Sequence, residues 1–183
     1  MKKIDRILQD WRIKKAVAYI GDNEKVLDIG TYDGTLFKKV KNLVSGIGIE
    51  PELDPTFEPP SSVEFRKGFF PEVLKAEETF NSIAMLAVLE HIKPEDQVTM
   101  AKEIYNRLEP GGKLIITVPS PFVDVILDVL MFLKLIDGME TDEHYGFKPA
   151  DTIPLFEQAG LNLHAKKTFQ LGLNNLFVFT KTS

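Results

Sequence analysis

Two hydrophobic rhythms alternate along this chain. From residue 24 to residue 160, short apolar runs take turns with stretches whose apolar residues recur every three or four positions. That alternation predicts strands interleaved with helices, as in a mostly parallel α/β sheet covered on its faces. Residues 4–20 read as an opening helix, with Ile4, Ile7, Leu8 and Trp11 at helical spacing. Strands are expected over 25–30, 44–50, 63–69, 80–88 and 113–118. Helices are expected over 34–43, near 70–76 and over 94–108. Pro51, Pro55, Pro59 and Pro60 make 51–62 a loop. Pro94 suits a first helical position, and Glu95 and Asp96 favour the positive end of that helix. Pro110-Gly111-Gly112 stops it. Residues 122–136 read as a helix apolar nearly all round, and 149–159 as another, with Gly160 at its C-cap. Strands at 161–171 and 176–181 close the chain, joined by a hairpin at Gly172-Leu173-Asn174-Asn175.

The 183 residues suit one domain over 1–183, a helix over 1–22 leading into an α/β core over 23–183. The net charge is -5, and the run Lys38-Lys39-Val40-Lys41 reads as the solvated face of a helix, so the charge pattern argues against nucleic acid as a partner. No cysteine is present, which excludes a disulfide framework, a thiolate zinc site and a cysteine nucleophile, and fits a reducing cytosol. No metal site is expected. The N-terminus lacks the apolar stretch of a secretory signal. The stretch 122–136 carries Asp124, Asp128 and Lys134, and is shorter than the ~20 residues of a membrane-spanning helix.

The most informative stretch is Val26-Leu27-Asp28-Ile29-Gly30-Thr31-Tyr32-Asp33-Gly34. An apolar strand runs into a turn with glycines at 30 and 34, and a helix is expected to start at once. Glycine permits a sharp turn and close approach of a ligand, and a helix N-terminus offers unpaired N–H groups. Asp28 lies in an otherwise apolar strand end, where a carboxylate costs free energy unless it is paired. Glu50 ends the second strand in Gly46-Ile47-Gly48-Ile49-Glu50-Pro51, a place from which an acid can accept from two ribose hydroxyls. The plainer readings are a tight structural turn and a solvent-facing strand end.

Together these residues resemble the class I S-adenosylmethionine-dependent methyltransferases. Asp28, Gly30 and Gly34 match the family's first motif, and Glu50 its second-strand acid. Leu86-Ala87-Val88-Leu89-Glu90-His91-Ile92 is similar to its fourth-strand segment. Leu108-Glu109-Pro110-Gly111-Gly112-Lys113-Leu114-Ile115-Ile116-Thr117-Val118-Pro119 is similar to its run into the fifth strand, and Leu155-Phe156-Glu157-Gln158-Ala159-Gly160-Leu161 to the helix before its final hairpin. The resemblance covers about 24–182. It implies a Rossmann-like, seven-stranded, mostly parallel sheet with an antiparallel last strand and helices on both faces. It also implies S-adenosylmethionine as cofactor, with Asp28, Gly30, Tyr32, Gly34, Glu50, Pro51, Phe69 and Ala87 around it. Tyr32 replaces the family's middle glycine. Gly68-Phe69 stands where the family often has glycine and an acid toward adenine, so Phe69 or Phe70 is expected to line the adenine face or to pack in the core.

Methyl transfer is an in-line displacement in which the protein mainly supplies position, with at most one base for the acceptor. His91 after the fourth strand and His144 after the fifth are the base candidates, because both can titrate near neutral pH. His91 has a bland reading as a loop brace, and His144 as an exposed loop histidine. Residues 122–136 could form a lid over an apolar substrate, a homodimer contact, a membrane-surface contact or ordinary packing. The leading expectation is a methyltransferase acting on a small molecule. A non-catalytic cofactor-binding domain working through a partner is the alternative. An NAD-dependent oxidoreductase is disfavoured, because the turn lacks Gly-x-Gly-x-x-Gly.

Overall fold

The computed structural model describes residues 3–120 and 148–182. Seven strands form one sheet in the order β3-β2-β1-β4-β5-β7-β6. They are β1 (Lys25–Ile29), β2 (Ser45–Glu50), β3 (Val63–Lys67), β4 (Phe80–Leu86), β5 (Leu108–Pro119), β6 (Leu161–Phe169) and β7 (Asn174–Lys181). Strands β1 to β5 pair in parallel, and β7 runs antiparallel to both β5 and β6. The described helices are α1 (Lys3–Val17), α2 (Pro94–Arg107) and α3 (Thr152–Gln158).

The central strands read as continuous apolar runs because both faces of the sheet are covered. Alternation along each strand sends side chains to opposite sides. Leu27 and Ile29 join the cluster under α2 and α3, which also holds Ile83, Met85, Ile104, Phe156 and Phe179. Val26 joins the opposite cluster with Ile13 of α1 and with Leu36 and Phe37. Phe156 brings α3 onto β7, its ring centroid 5.3 Å from that of Phe179. The edge strand β6 presents Lys166 and Lys167, and charge on an open edge discourages pairing with another sheet.

The expected α/β architecture and the antiparallel ending are present, but several local expectations are corrected. The segment 34–43 is a series of turns. Phe37 and Lys39 bond back three residues, to Gly34 and Leu36, and only Val40 reaches back four. So short a segment gains few i→i−4 bonds against the cost of nucleating a helix. Its apolar residues bury regardless. The segment 70–76 is likewise only a turn, with Leu74 N–H donating to the Pro71 carbonyl at 3.0 Å. Strand β4 stops at Leu86, and Leu89–His91 forms a 3₁₀ turn. Strand β5 starts at Leu108, through the Pro-Gly-Gly expected to precede it. Pro149–Asp151 is a 3₁₀ turn ahead of α3, and Gly160 (φ +98) follows that helix in the left-handed region. The hairpin turn is Gln170–Gly172, so Asn174 and Asn175 already belong to β7. In α1 the buried face carries Ile13 and Ala16, while Ile7 and Trp11 are exposed. The expected helix at 122–136 lies outside the described residues.

Candidate active site

Strands β1, β2 and β4 end at the same edge, since Ile29 registers with Ile49 and with Met85. The turn after β1 is held to β2 by its backbone. Gly30 and Thr31 N–H both donate to the Ile49 carbonyl, at 2.9 and 3.0 Å. Gly34 N–H donates to the Thr31 carbonyl at 3.0 Å, and Thr35 N–H to the Asp33 carboxylate at 3.0 Å. Two positions in this turn require glycine. Gly30 has φ +75, and a Cβ there would lie 2.4 Å from Val88 Cγ2. Gly34 has φ +68, and its Cβ would lie 2.2 Å from the Phe65 ring. The bulkier Tyr32 takes the left-handed region at φ 51, is exposed, and meets Phe57 edge-on at 5.9 Å.

Glu50 closes β2 beside this turn. One carboxylate oxygen accepts from Tyr32 N–H at 3.1 Å and the other from Glu52 N–H at 3.2 Å. Each oxygen keeps a further lone pair for a ligand. The half-buried Pro51 follows and ends the strand. Gly68 N–H donates to the Glu50 carbonyl at 3.2 Å, which brings Phe69, 63% exposed, to the same edge. Phe70 instead packs in the core. Asp28 is buried, and burial pushes its carboxyl up to about 7; the Thr31 hydroxyl opposes this, while the charges of Asp33 and Glu50 add to it. That hydroxyl is itself enclosed and lacks a full hydrogen bond.

On the other side of the turn, the chain leaves β4 through Ala87. This residue has φ 59, and its N–H donates to the Thr117 carbonyl at 2.9 Å. Glu90 is buried on the 3₁₀ turn that follows, and burial raises its carboxyl to about 7. His91 is exposed beside it, on the same edge of the sheet. The structure therefore gathers Asp28, Gly30, Tyr32, Gly34, Glu50, Pro51, Phe69, Ala87 and His91 along one edge, while His144 lies outside the described residues. Sequence reasoning passed over Arg12, Asp33 and Glu90. The spacing of Arg12 held a signal, since Leu8, Arg12 and Ala16 share one helix face.

A parallel sheet with an antiparallel final hairpin, a glycine turn after β1 and an acid closing β2 defines the Rossmann-like fold of the class I S-adenosylmethionine-dependent methyltransferases. The chain belongs to the methyltransferase-domain family, whose model matches residues 2–166. Solved structures share the fold at low identity. A Haloferax volcanii methyltransferase in complex with the Trm112 activator is 16% identical, with a TM-score of 0.73 over 98% of this chain and 93% of that one. An S-adenosylmethionine-dependent methyltransferase from Listeria monocytogenes is 14% identical, with a TM-score of 0.70 over 96% and 100%. Magnesium protoporphyrin IX methyltransferase from Synechocystis, with bound S-adenosylhomocysteine, is 13% identical, with a TM-score of 0.70 over 97% and 85%. No curated protein matches the sequence.

Proposed function

We propose that this protein transfers a methyl group from S-adenosylmethionine to a small-molecule acceptor at the edge formed by β1, β2 and β4. The observation that supports this best is the Glu50 carboxylate, oriented by Tyr32 and Glu52 N–H groups with acceptor capacity left over. A ribose diol presents two donors to such a group. Asp28 and the glycines shape the turn beneath the ligand, Pro51 sets the direction of Glu50, and Ala87 lines the opposite side. Phe69 offers an exposed ring at the adenine end.

The cofactor supplies a sulfonium-bound methyl group that needs no activation by the protein. The chain's task is to bring the acceptor in line and to take its proton where it has one. His91 and His144 are the groups we assign to that proton. No described helix is long and apolar enough to cross a membrane. A chain without cysteine suits a reducing cytosol.

The test is calorimetric titration with S-adenosylmethionine and S-adenosylhomocysteine, followed by assay of S-adenosylhomocysteine release across a panel of small acceptors. Binding with turnover supports the enzyme. Binding without turnover on any acceptor favours a cofactor-holding domain that works through a partner, a reading kept open by Tyr32 at the family's middle glycine.

A further inference from the structure

The outward face of α1 carries only two kinds of side chain. Over residues 6–17, those exposed to solvent are Arg6, Ile7, Trp11, Lys14 and Lys15, each apolar or basic. Ile7 is 55% and Trp11 40% exposed, four residues apart, and Lys14 and Lys15 follow Trp11 by three and four, so they line one stripe of the helix surface. The opposite face, through Ile13 and Ala16, is buried on the sheet. Asp10, the acid of this stretch, is half-buried and already shared between Lys14 at 2.9 Å and Lys39 at 2.5 Å. Arg6 and Lys15 have no ion pair among the described residues. A chain whose net charge is -5 thus presents a helix face that is basic and apolar.

A third apolar side chain is fixed beside this face from the far end of the chain. Leu171 is 97% exposed, in the turn between β6 and β7. Gln170, Leu171 and Gly172 take φ 52, 57 and 91, a left-handed run that only the glycine adopts without strain. The turn is nonetheless anchored on both sides of Leu171. Gln170 Nε2 donates to the Leu8 carbonyl of α1 at 2.8 Å, and the Gly172 carbonyl accepts from Ser120 Oγ at 2.6 Å. Leu171 is therefore held out into water beside the part of α1 that bears Ile7 and Trp11. On the same flank Lys167 is exposed, its Nζ 5.2 Å from the ring centroid of Tyr19, just past α1. A cluster of exposed isoleucine, tryptophan and leucine rimmed by polar residues marks a contact surface. The rim chooses the partner. A second copy docking by the same face would set Lys14 and Lys15 against like charges, since a two-fold contact pairs a patch with itself. An anionic bilayer suits both parts, its headgroups meeting the basic side chains while tryptophan and aliphatic side chains enter the boundary beneath.

We propose that the outward face of α1, together with Leu171, docks this protein on anionic lipid bilayers. Ile7, Trp11 and Leu171 enter the headgroup boundary, and Arg6, Lys14, Lys15 and Lys167 meet the anionic headgroups. This is independent of the cofactor reading above. Trp11 is the single tryptophan of the chain, so its fluorescence reports this face alone. The test adds vesicles of phosphatidylcholine, alone or with about one-third phosphatidylserine, and follows Trp11 emission and co-sedimentation. With phosphatidylserine the protein should sediment with the vesicles, and Trp11 emission should shift to the blue and be quenched by brominated acyl chains. Phosphatidylcholine alone should do neither. Lys14→Gln with Lys15→Gln should weaken vesicle binding about tenfold or more, and Ile7→Ser with Leu171→Ser several-fold. Melting temperature should hardly move in either double variant, because all four side chains are exposed. The proposal is overturned if phosphatidylserine vesicles neither bind the protein nor shift Trp11, or if phosphatidylcholine alone binds equally well. It is equally overturned if vesicles bind while Trp11 emission stays unchanged, or if both double variants bind like the wild type, since another part of the chain then holds the lipid. A blue shift on raising protein concentration without lipid would make this face a contact between copies, and would overturn it too.

Discussion

The backbone N–H of Tyr32 donates to Oε2 of Glu50 at 3.1 Å, so the residue that closes β2 also holds the middle of the turn after β1. Glu50 thereby has two tasks, positioning the turn and meeting the ribose. Glu50→Ala should weaken S-adenosylhomocysteine binding by about tenfold or more, since a hydrogen bond to a charged group contributes about 1.5–3 kcal/mol. Glu50→Gln keeps one acceptor and should lose less. Both variants should stay folded, because the side chain is only half-buried. A folded Glu50→Ala protein that binds as tightly as wild type would falsify the ribose assignment.

Asp28 predicts a pH dependence of stability. Its carboxyl is raised from 3.8 to about 7 by burial. The folded state therefore holds a proton that the unfolded chain releases. Asp28's contribution is complete below about pH 4 and lost as pH rises to about 7. Glu90, raised from 4.5 to about 7, acts in the same direction. Melting temperature should fall across this window, where one such carboxyl lowers stability by at most about 1.4 kcal/mol for each rise of one in pH. Asp28→Asn copies the neutral form and should flatten the slope, with E90Q flattening it further. An unchanged slope in Asp28→Asn would mean that Asp28 is ionised in the fold.

Gly30→Ala should destabilise the protein for two separable reasons, a left-handed backbone at φ +75 and a Cβ 2.4 Å from Val88 Cγ2. The backbone part alone is about 1–2 kcal/mol. Adding Val88→Ala removes the clash but not the strain. The double variant should therefore recover only part of the lost melting temperature that Gly30→Ala shows. Full recovery would mean that the backbone conformation is not limiting.

Phe69→Ala should separate binding from folding. The ring is 63% exposed, so the melting temperature should hardly move, within about ±0.5 kcal/mol of stability. Binding of S-adenosylhomocysteine should fall several-fold if the ring meets adenine. Unchanged binding in a thermal-shift titration would leave Phe69 as an ordinary exposed aromatic.

Patterns that depend on burial were readable along the chain. Val26, Leu27 and Ile29 are apolar because β1 is covered on both faces, and the Pro-Glu-Asp start of α2 encodes a helix N-terminus locally. The glycine turn and the acid at the end of β2 are equally local, being fixed by positive φ and by position next to a proline. The segment 34–43 misled because its apolar spacing fits a helix, while its burial is achieved by turns packed in one cluster with Val26 of β1 and Val63 of β3.

The sequence by itself determined the alternation of strands and helices, the antiparallel ending and the residues of the turn, because each rests on periodicity or on backbone chemistry within a few neighbouring residues. Only the tertiary structure decided that Tyr32 N–H belongs to Glu50, that Asp28 is buried among like charges, and that α1 turns Arg12 rather than Trp11 inward toward Glu90. Those are contacts between groups far apart in the chain. Their energies depend on distance and enclosure, which hydrophobic pattern does not encode.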